Sequence, residues 1–92
     1  MESENDPNKS ASNKEKHGID FEEAQRLWAD KEAVMLDLPF PDEVRYMVLG
    51  VIDGKNWSAV VTDREGVTRI ISVRRSRKQE VDLYERNRSD ER

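Results

Sequence analysis

Two short stretches near opposite ends of the chain hold the side chains whose types and spacing could do chemistry. The first is Asn13-Lys14-Glu15-Lys16-His17-Gly18-Ile19-Asp20-Phe21-Glu22-Glu23-Ala24, with the only histidine of the chain. The second is Arg69-Ile70-Ile71-Ser72-Val73-Arg74-Arg75, running into Ser76-Arg77-Lys78-Gln79-Glu80. A histidine titrates near neutrality and is the natural proton carrier. Guanidinium groups bind phosphate bidentately and stabilise the extra negative charge of a phosphorane without a metal. One imidazole, several guanidiniums and no cysteine suit metal-free cleavage of RNA and little other chemistry. Each residue also has a plainer reading. A His before a helix-ending Gly often does no more than meet the last helical carbonyls. Strand arginines often guard a sheet edge or pair with acids such as Glu22, Glu23 or Glu80.

Other site classes find little support. The sequence has no Gly-rich phosphate loop and no Ser-His-Asp signature, and a single His without clustered carboxylates is a poor transition-metal site. Glu22 and Glu23 read as first-turn helix charges. No helix-turn-helix pattern points to direct DNA binding.

These residues must be positioned by a small scaffold. Ninety-two residues make one domain that buries only about two thirds of its unfolded surface, so a shallow site is expected. The absence of Cys suits a reducing compartment. No apolar run nears the roughly 18 residues of a membrane span, and the polar, acidic opening Met1-Glu2-Ser3-Glu4-Asn5-Asp6 is unlike a signal peptide. Cytoplasmic location and no membrane contact are the expectation. The net charge of −4 is unevenly distributed: residues 1–63 carry 7 Lys and Arg against 14 Asp and Glu, residues 64–92 carry 9 against 6. Such a split fits an RNA-facing side and a partner-facing side, or simply solvated faces on a highly charged chain.

Residues 1–7 read as a flexible arm, 8–88 as the domain and 89–92 as a flexible tail. A helix is predicted from Asn8 to His17, stopped by Gly18 in the left-handed conformation. Asp20 and Glu23 form an acidic capping box for a second helix from Phe21 to Trp28 or Ala29, with Phe21, Ala24, Leu27 and Trp28 on one stripe. Period-two and continuous apolar runs then predict strands at Ala33–Leu36, Arg45–Ile52, Trp57–Thr62 and Val67–Arg74, separated by a Pro-broken loop and by turns at Asp53–Asn56 and Asp63–Gly66. Strict alternation along the last strand places Val67, Arg69, Ile71 and Val73 on one face and Thr68, Ile70, Ser72 and Arg74 on the other. Ser76 is predicted to cap a final helix with Gln79 at its third position, docked by Val81 and Tyr84. The fold class is α+β: two N-terminal helices, an antiparallel sheet of three or four strands, and a C-terminal helix.

An ordered series of motifs resembles the BrnT toxins, the toxin halves of type II toxin–antitoxin modules. It comprises Asn13-x-x-Lys16-His17-Gly18-x-x-Phe21-Glu22-Glu23-Ala24, Glu43-x-Arg45-Tyr46 with Gly50, Thr62-x-Arg64, Arg69-x-Ile71-Ser72-x-Arg74-Arg75, and Glu80-x-x-x-Tyr84. The resemblance covers about Asp6 to Glu85. It implies a RelE-like fold and a ribonuclease that cleaves RNA without metal or cofactor, by attack of the ribose 2′-hydroxyl on the adjacent phosphate, and that arrests growth. It also implies a BrnA-like antitoxin, a toxin–antitoxin heterotetramer, and contact with DNA only through that antitoxin. On this resemblance Lys16 and His17 are candidates for proton transfer, Arg45 and Arg74 for phosphate and transition-state binding, and Arg64, Arg69 and Arg75 for RNA binding. Glu80 and Tyr84 are expected to anchor the last helix. The sequence departs from the family at its start, where Ser3-Glu4-Asn5-Asp6 stands in place of the usual Phe-x-Trp-Asp, and Val73 and Ser76 stand where Ala is usual. The loss of two buried aromatics and the acidic pI near 5.0 suit an alternative: a catalytically degenerate homologue that binds its antitoxin and tunes autorepression of the operon.

Overall fold

A computed structural model describes residues 3–4 and 6–90. In chain order the elements are strand β1 (Ser3–Glu4), helix α1 (Pro7–His17), helix α2 (Phe21–Ala24) continued by a 3₁₀ turn (Gln25–Ala29), strands β2 (Val34–Leu38), β3 (Arg45–Ile52), β4 (Lys55–Arg64) and β5 (Val67–Arg75), and helix α3 (Lys78–Asp90). The predicted α+β arrangement of N-terminal helices, a four-stranded antiparallel sheet and a C-terminal helix is observed. The arm expected at residues 1–7 instead contributes β1, which joins β5 in parallel through Ser3 and Glu4 opposite Thr68 and Arg69. The arm and tail expectations at positions 1, 2, 5, 91 and 92 lie outside the described residues.

Local chemistry explains the helix boundaries. The Asp6 carboxylate accepts from the Asn8 N–H at 2.8 Å, and Pro7 fills the first helical position, where no N–H is needed. Gly18 ends α1 at φ 82° and donates its N–H to the Lys14 carbonyl. The Asp20–Glu23 capping box forms reciprocally. The second helix stays α-helical only to Ala24 and then tightens to 3₁₀ geometry, which still buries Leu27. At α3 the cap differs from expectation. The Ser76 hydroxyl is engaged by the Ser58 hydroxyl at 2.7 Å, and Glu80 instead accepts the Arg77 N–H at 2.8 Å.

The strand order is β1-β5-β4-β3-β2. β2 begins and ends later than predicted, at Val34 and Leu38. Two tight turns, Asp53-Gly54 and Glu65-Gly66, have positive φ at both residues, the geometry that matches the twist of paired strands. The core lies between the α1–α2 layer and one sheet face: Ile19, Phe21, Ala24 and Leu27 meet Tyr46, Val48, Ile52, Trp57, Ala59, Val61, Ile70 and Val73. Gly50 allows the closest approach of the layers, since a Cβ there would stand 2.8 Å from Leu27 Cδ2. α3 packs on the other face, where Glu80 reaches Ser58 and Arg74.

A bulge overturns the expected face assignment of β5. Val60 pairs with Ser72 but Val61 pairs with Ile70, so Ile71 is the extra residue. Thr68, Ile70 and Val73 consequently share the buried helix side, while Val67, Arg69, Ser72 and Arg74 share the opposite side. A bulge inserts one residue into the period of two and reverses every side chain beyond it.

Candidate functional site

The α3 face of the sheet is organised in three cross-strand rows. Val34, Leu49, Ser58 and Arg74 form one, Leu36, Met47, Val60 and Ser72 the next, and Leu38, Arg45, Thr62 and Arg69 the third. The first row is closed by α3, with Leu49 and Ser58 each 1% exposed. The middle row is half-buried throughout, an apolar floor with Ser72 at its β5 end. Arginines stand on either side of it. From Ser58 to Thr62 the outer rows are about 13 Å apart along the strand.

At the end away from α3, Glu43 gathers the cations. Its carboxylate accepts from Arg45 Nε through one oxygen and from Arg64 Nη2 at 3.3 Å through the other. The Arg45 guanidinium lies 3.8 Å from the centre of the Phe40 ring, a cation–π contact. Hydrogen bonds from Arg45, and secondarily from Arg64, hold the Glu43 carboxyl below the usual glutamate range. At the other end Glu80 grips Arg74 bidentately, at 2.8 and 2.9 Å, and also accepts from Ser58 at 2.9 Å and from the Arg77 N–H. The Arg74 bonds, with the two others, outweigh the cost of burial and take the Glu80 carboxyl down to about 2. Arg74 Nη1 also donates to the Arg75 carbonyl at 3.2 Å. Of the five guanidinium N–H groups, Nε–H and one on Nη2 stay uncommitted among the described residues.

Lys16 and His17 arrive at β5 from the side. Both are exposed at the C-terminal end of α1, and they line a cleft of about 220 Å³ with Lys9, Ser12, Ile71 and Ser72. Neither side chain has a hydrogen-bond or ion-pair partner among the described residues, whereas Lys14 is paired with Glu23 at 2.7 Å. The bulge places Ser72 at this cleft and on the same sheet face as Arg69 and Arg74. The structure thus brings Lys16, His17, Arg69 and Arg74 around one strand, and Arg45 with Arg64 two strands and one strand away. Arg75 is not part of this group. It shares the Trp57 side of the sheet, 5.4 Å from the ring centre, with Nε donating to the Asn56 carbonyl.

Two functional positions carried no role in the sequence reading. Asn13, 6% exposed, donates to the Val73 and Ile19 carbonyls at 2.8 Å each and accepts the Val73 N–H at 3.2 Å. Its amide does for β5 what a neighbouring strand would, and so fixes α1, with Lys16 and His17, against the bulged edge. An Asn in the polar middle of a predicted helix gives no sign of this. Glu43 is the second, a loop acid with one partner, Arg45, two residues on and the other, Arg64, at the far end of β4. Among the described residues no three of His, Asp and Glu converge as metal ligands, and no helix is long and apolar enough to cross a membrane. A second cleft, of about 600 Å³, opens between the 3₁₀ turn, the end of β3 and α3. Burial pushes the Asp30 carboxyl there up, but hydrogen bonds from Tyr84 Oη and from the Glu32 and Val51 N–H groups prevail and hold it low. That cleft is therefore an anchor for α3.

An α+β domain that carries cationic side chains on one sheet face, beside a histidine, has the makings of a protein acting on phosphodiesters. Comparison with family models gives the particular kind: residues 6–80 match the model described as "Ribonuclease toxin, BrnT, of type II toxin-antitoxin system". The chain belongs to this family of ribonuclease toxins, and membership implies an antitoxin partner. No curated protein matched the chain.

Proposed function

We propose that the chain is a metal-independent endoribonuclease whose activity arrests growth, neutralised by a BrnA-like antitoxin in a heterotetramer that touches DNA only through the antitoxin. The observation that carries this reading is the meeting of Lys16 and His17 with Ser72 at the bulged edge of β5, on the strand that also presents Arg69 and Arg74. In this reading the 2′-oxygen of the substrate attacks the adjacent phosphorus, its proton passes to His17 or Lys16, and the bond to the 5′-oxygen breaks as that oxygen takes up a proton. The products are a 2′,3′-cyclic phosphate and a 5′-hydroxyl end. The uncommitted N–H groups of Arg74 face the charge that builds on the phosphorane. Arg45, Arg64 and Arg69 hold the neighbouring phosphates, and the apolar floor of Leu36, Met47 and Val60 receives a base. Arg75, on the other side of the sheet, has a lesser part.

A second reading is favoured by one observation: Arg74 and Arg45, two of the proposed phosphate binders, are each held by a carboxylate of the chain itself. A catalytically degenerate toxin that serves only as an antitoxin-binding module would look the same. Cleavage of a purified single-stranded RNA in EDTA separates the two. Wild-type protein is expected to cut, and His17→Ala and Arg74→Ala to cut at least 100-fold more slowly while circular dichroism stays native. A folded wild type that leaves the RNA intact, on or off the ribosome, supports the binding-only reading.

A further inference from the structure

The sheet treats its two edges differently. The β5 edge is closed twice, by β1 at Thr68–Arg69 and by the Asn13 amide at Val73. The β2 edge is open. Among the described residues, the backbone of Val34–Leu38 is hydrogen-bonded only to β3, apart from the local Phe40 N–H to Leu38 carbonyl contact. This strand has only one of the features that ordinarily discourage pairing, the charged side chain of Asp37. It contains no Lys and no Pro, it is five residues long, and it has no bulge. Apolar side chains are left exposed beside it: of the four large hydrophobic residues exposed among those described, Met35 (56%) lies in β2, and Phe40 (47%) and Val44 (63%) lie in the loop that follows.

The charge around this edge has a definite sign. Residues 30–43 contain five carboxylates and one lysine. Glu32 is paired with Arg88, and Glu43 with Arg45 and Arg64. Asp37, next to the end of β2, and Asp42 are exposed and have no cationic partner among the described residues. A phosphate backbone is repelled here, and a second copy of the chain would set Asp37 against an equally acidic edge.

We propose that β2 is the docking edge for an extended segment of the protein partner, which adds as a further strand of the sheet. The segment's recognition chemistry follows from the pleat. Its side chains beside Val34, Leu36 and Leu38 are apolar, and those beside Asp37 are Lys or Arg. The proposal rests on the reading of this chain as one half of a two-protein module, and it places the partner on the acidic edge, away from Lys16, His17 and Arg74.

The test titrates the ¹⁵N-labelled full chain with a blocked heptapeptide that alternates valine with lysine. Amide shifts centred on Val34–Leu38 and about tenfold slower hydrogen exchange along that strand are expected. Asp37→Lys, an exposed substitution, should weaken the binding about tenfold with the rest of the spectrum unchanged. Equal binding of a valine–glutamate peptide, shifts centred on Met47 and Val60, or no shifts at millimolar peptide would each overturn the proposal. So would β2 shifts produced by oligouridylate, or by raising the protein concentration alone, which would identify RNA or a second copy as the occupant. RNA cleavage is assayed on the same sample. Peptide binding without cleavage would leave the docking edge standing and remove the ribonuclease reading, and cleavage without peptide binding would do the reverse.

Discussion

Asn13 shows how one residue can join two parts of a site. Its amide satisfies both backbone groups of Val73 at an otherwise open edge and also donates to the Ile19 carbonyl within the α1–α2 turn. A buried backbone group left without a partner costs about 1–3 kcal/mol. Asn13→Ala is therefore expected to lower the unfolding free energy by about 3 kcal/mol, read from urea denaturation. Asn13→Asp, which keeps an acceptor but loses both donors, should fall between the variant and the wild type only at pH low enough to protonate it. His17 and Lys16 behave oppositely. They are exposed and unpaired among the described residues, so His17→Ala should leave the urea midpoint within experimental error while testing chemistry.

Among the elements, α3 has little apolar attachment. Leu83 is exposed, and Tyr84 is its one residue with a buried ring. Three side chains at i, i+4 and i+8 fasten it instead: Glu80 to Arg74 and Ser58, Tyr84 to Asp30 at 2.6 Å, and Arg88 to Glu32 at 2.6 Å. Glu80 gives this attachment a pH dependence. Its carboxyl titrates at about 2 in the folded chain against an ordinary value of 4.5, so the ionised form is the one stabilised by folding. The contribution is complete above pH 4.5 and is lost as pH falls from there through about 2. The shift corresponds to about 2–3 kcal/mol once the pair's partial solvent contact is allowed for. Urea midpoints should fall between pH 5 and pH 2.5 in the wild type, and Glu80→Gln should be less stable at pH 5 and lose less on acidification. An equal fall in both proteins would show that Glu80 does not carry the effect.

Over the whole molecule, charge is sorted into an acidic β2 edge and a sheet face on which Arg45, Arg64 and Arg74 are held by two carboxylates. RNA affinity comes largely from phosphate contacts and the release of counterions. Glu43 already holds Arg45 and Arg64, so it competes with RNA for both. Glu43→Gln keeps the shape and removes the charge. It is expected to bind a single-stranded RNA several-fold more tightly, with the slope of log affinity against log salt steeper by about 0.7 for each phosphate newly contacted. An unchanged affinity and slope would mean that the Phe40 end of the face does not meet RNA. The same experiment with Asp37→Lys gauges the acidic edge, which the docking proposal places outside the RNA path.

Much of this was legible in the amino-acid order. Gly18, the Asp20–Glu23 box, the two Gly-containing turns and the apolar runs specify local conformations through interactions within a few residues, so α1, α2, β3, β4, β5 and the α+β class could be read without a structure. The ordered motifs also pointed to the toxin family that the family model matches over residues 6–80. What could not be read were outcomes of pairing between distant segments. The Ile71 bulge exists only because β4 and β5 differ by one residue in register, and it alone decides that Val73 joins Ile70 on the core side while Ser72 and Arg74 join Arg69 on the other. β1 forms because β5 offers an edge at Thr68 and Arg69. The pairing of Arg74 with Glu80, of Arg45 and Arg64 with Glu43, and of Asn13 with Val73 depends on which side chains the sheet brings within hydrogen-bond reach. Residue type proposed the cations, and tertiary structure chose their partners, because a charged side chain bonds to whatever the fold puts beside it.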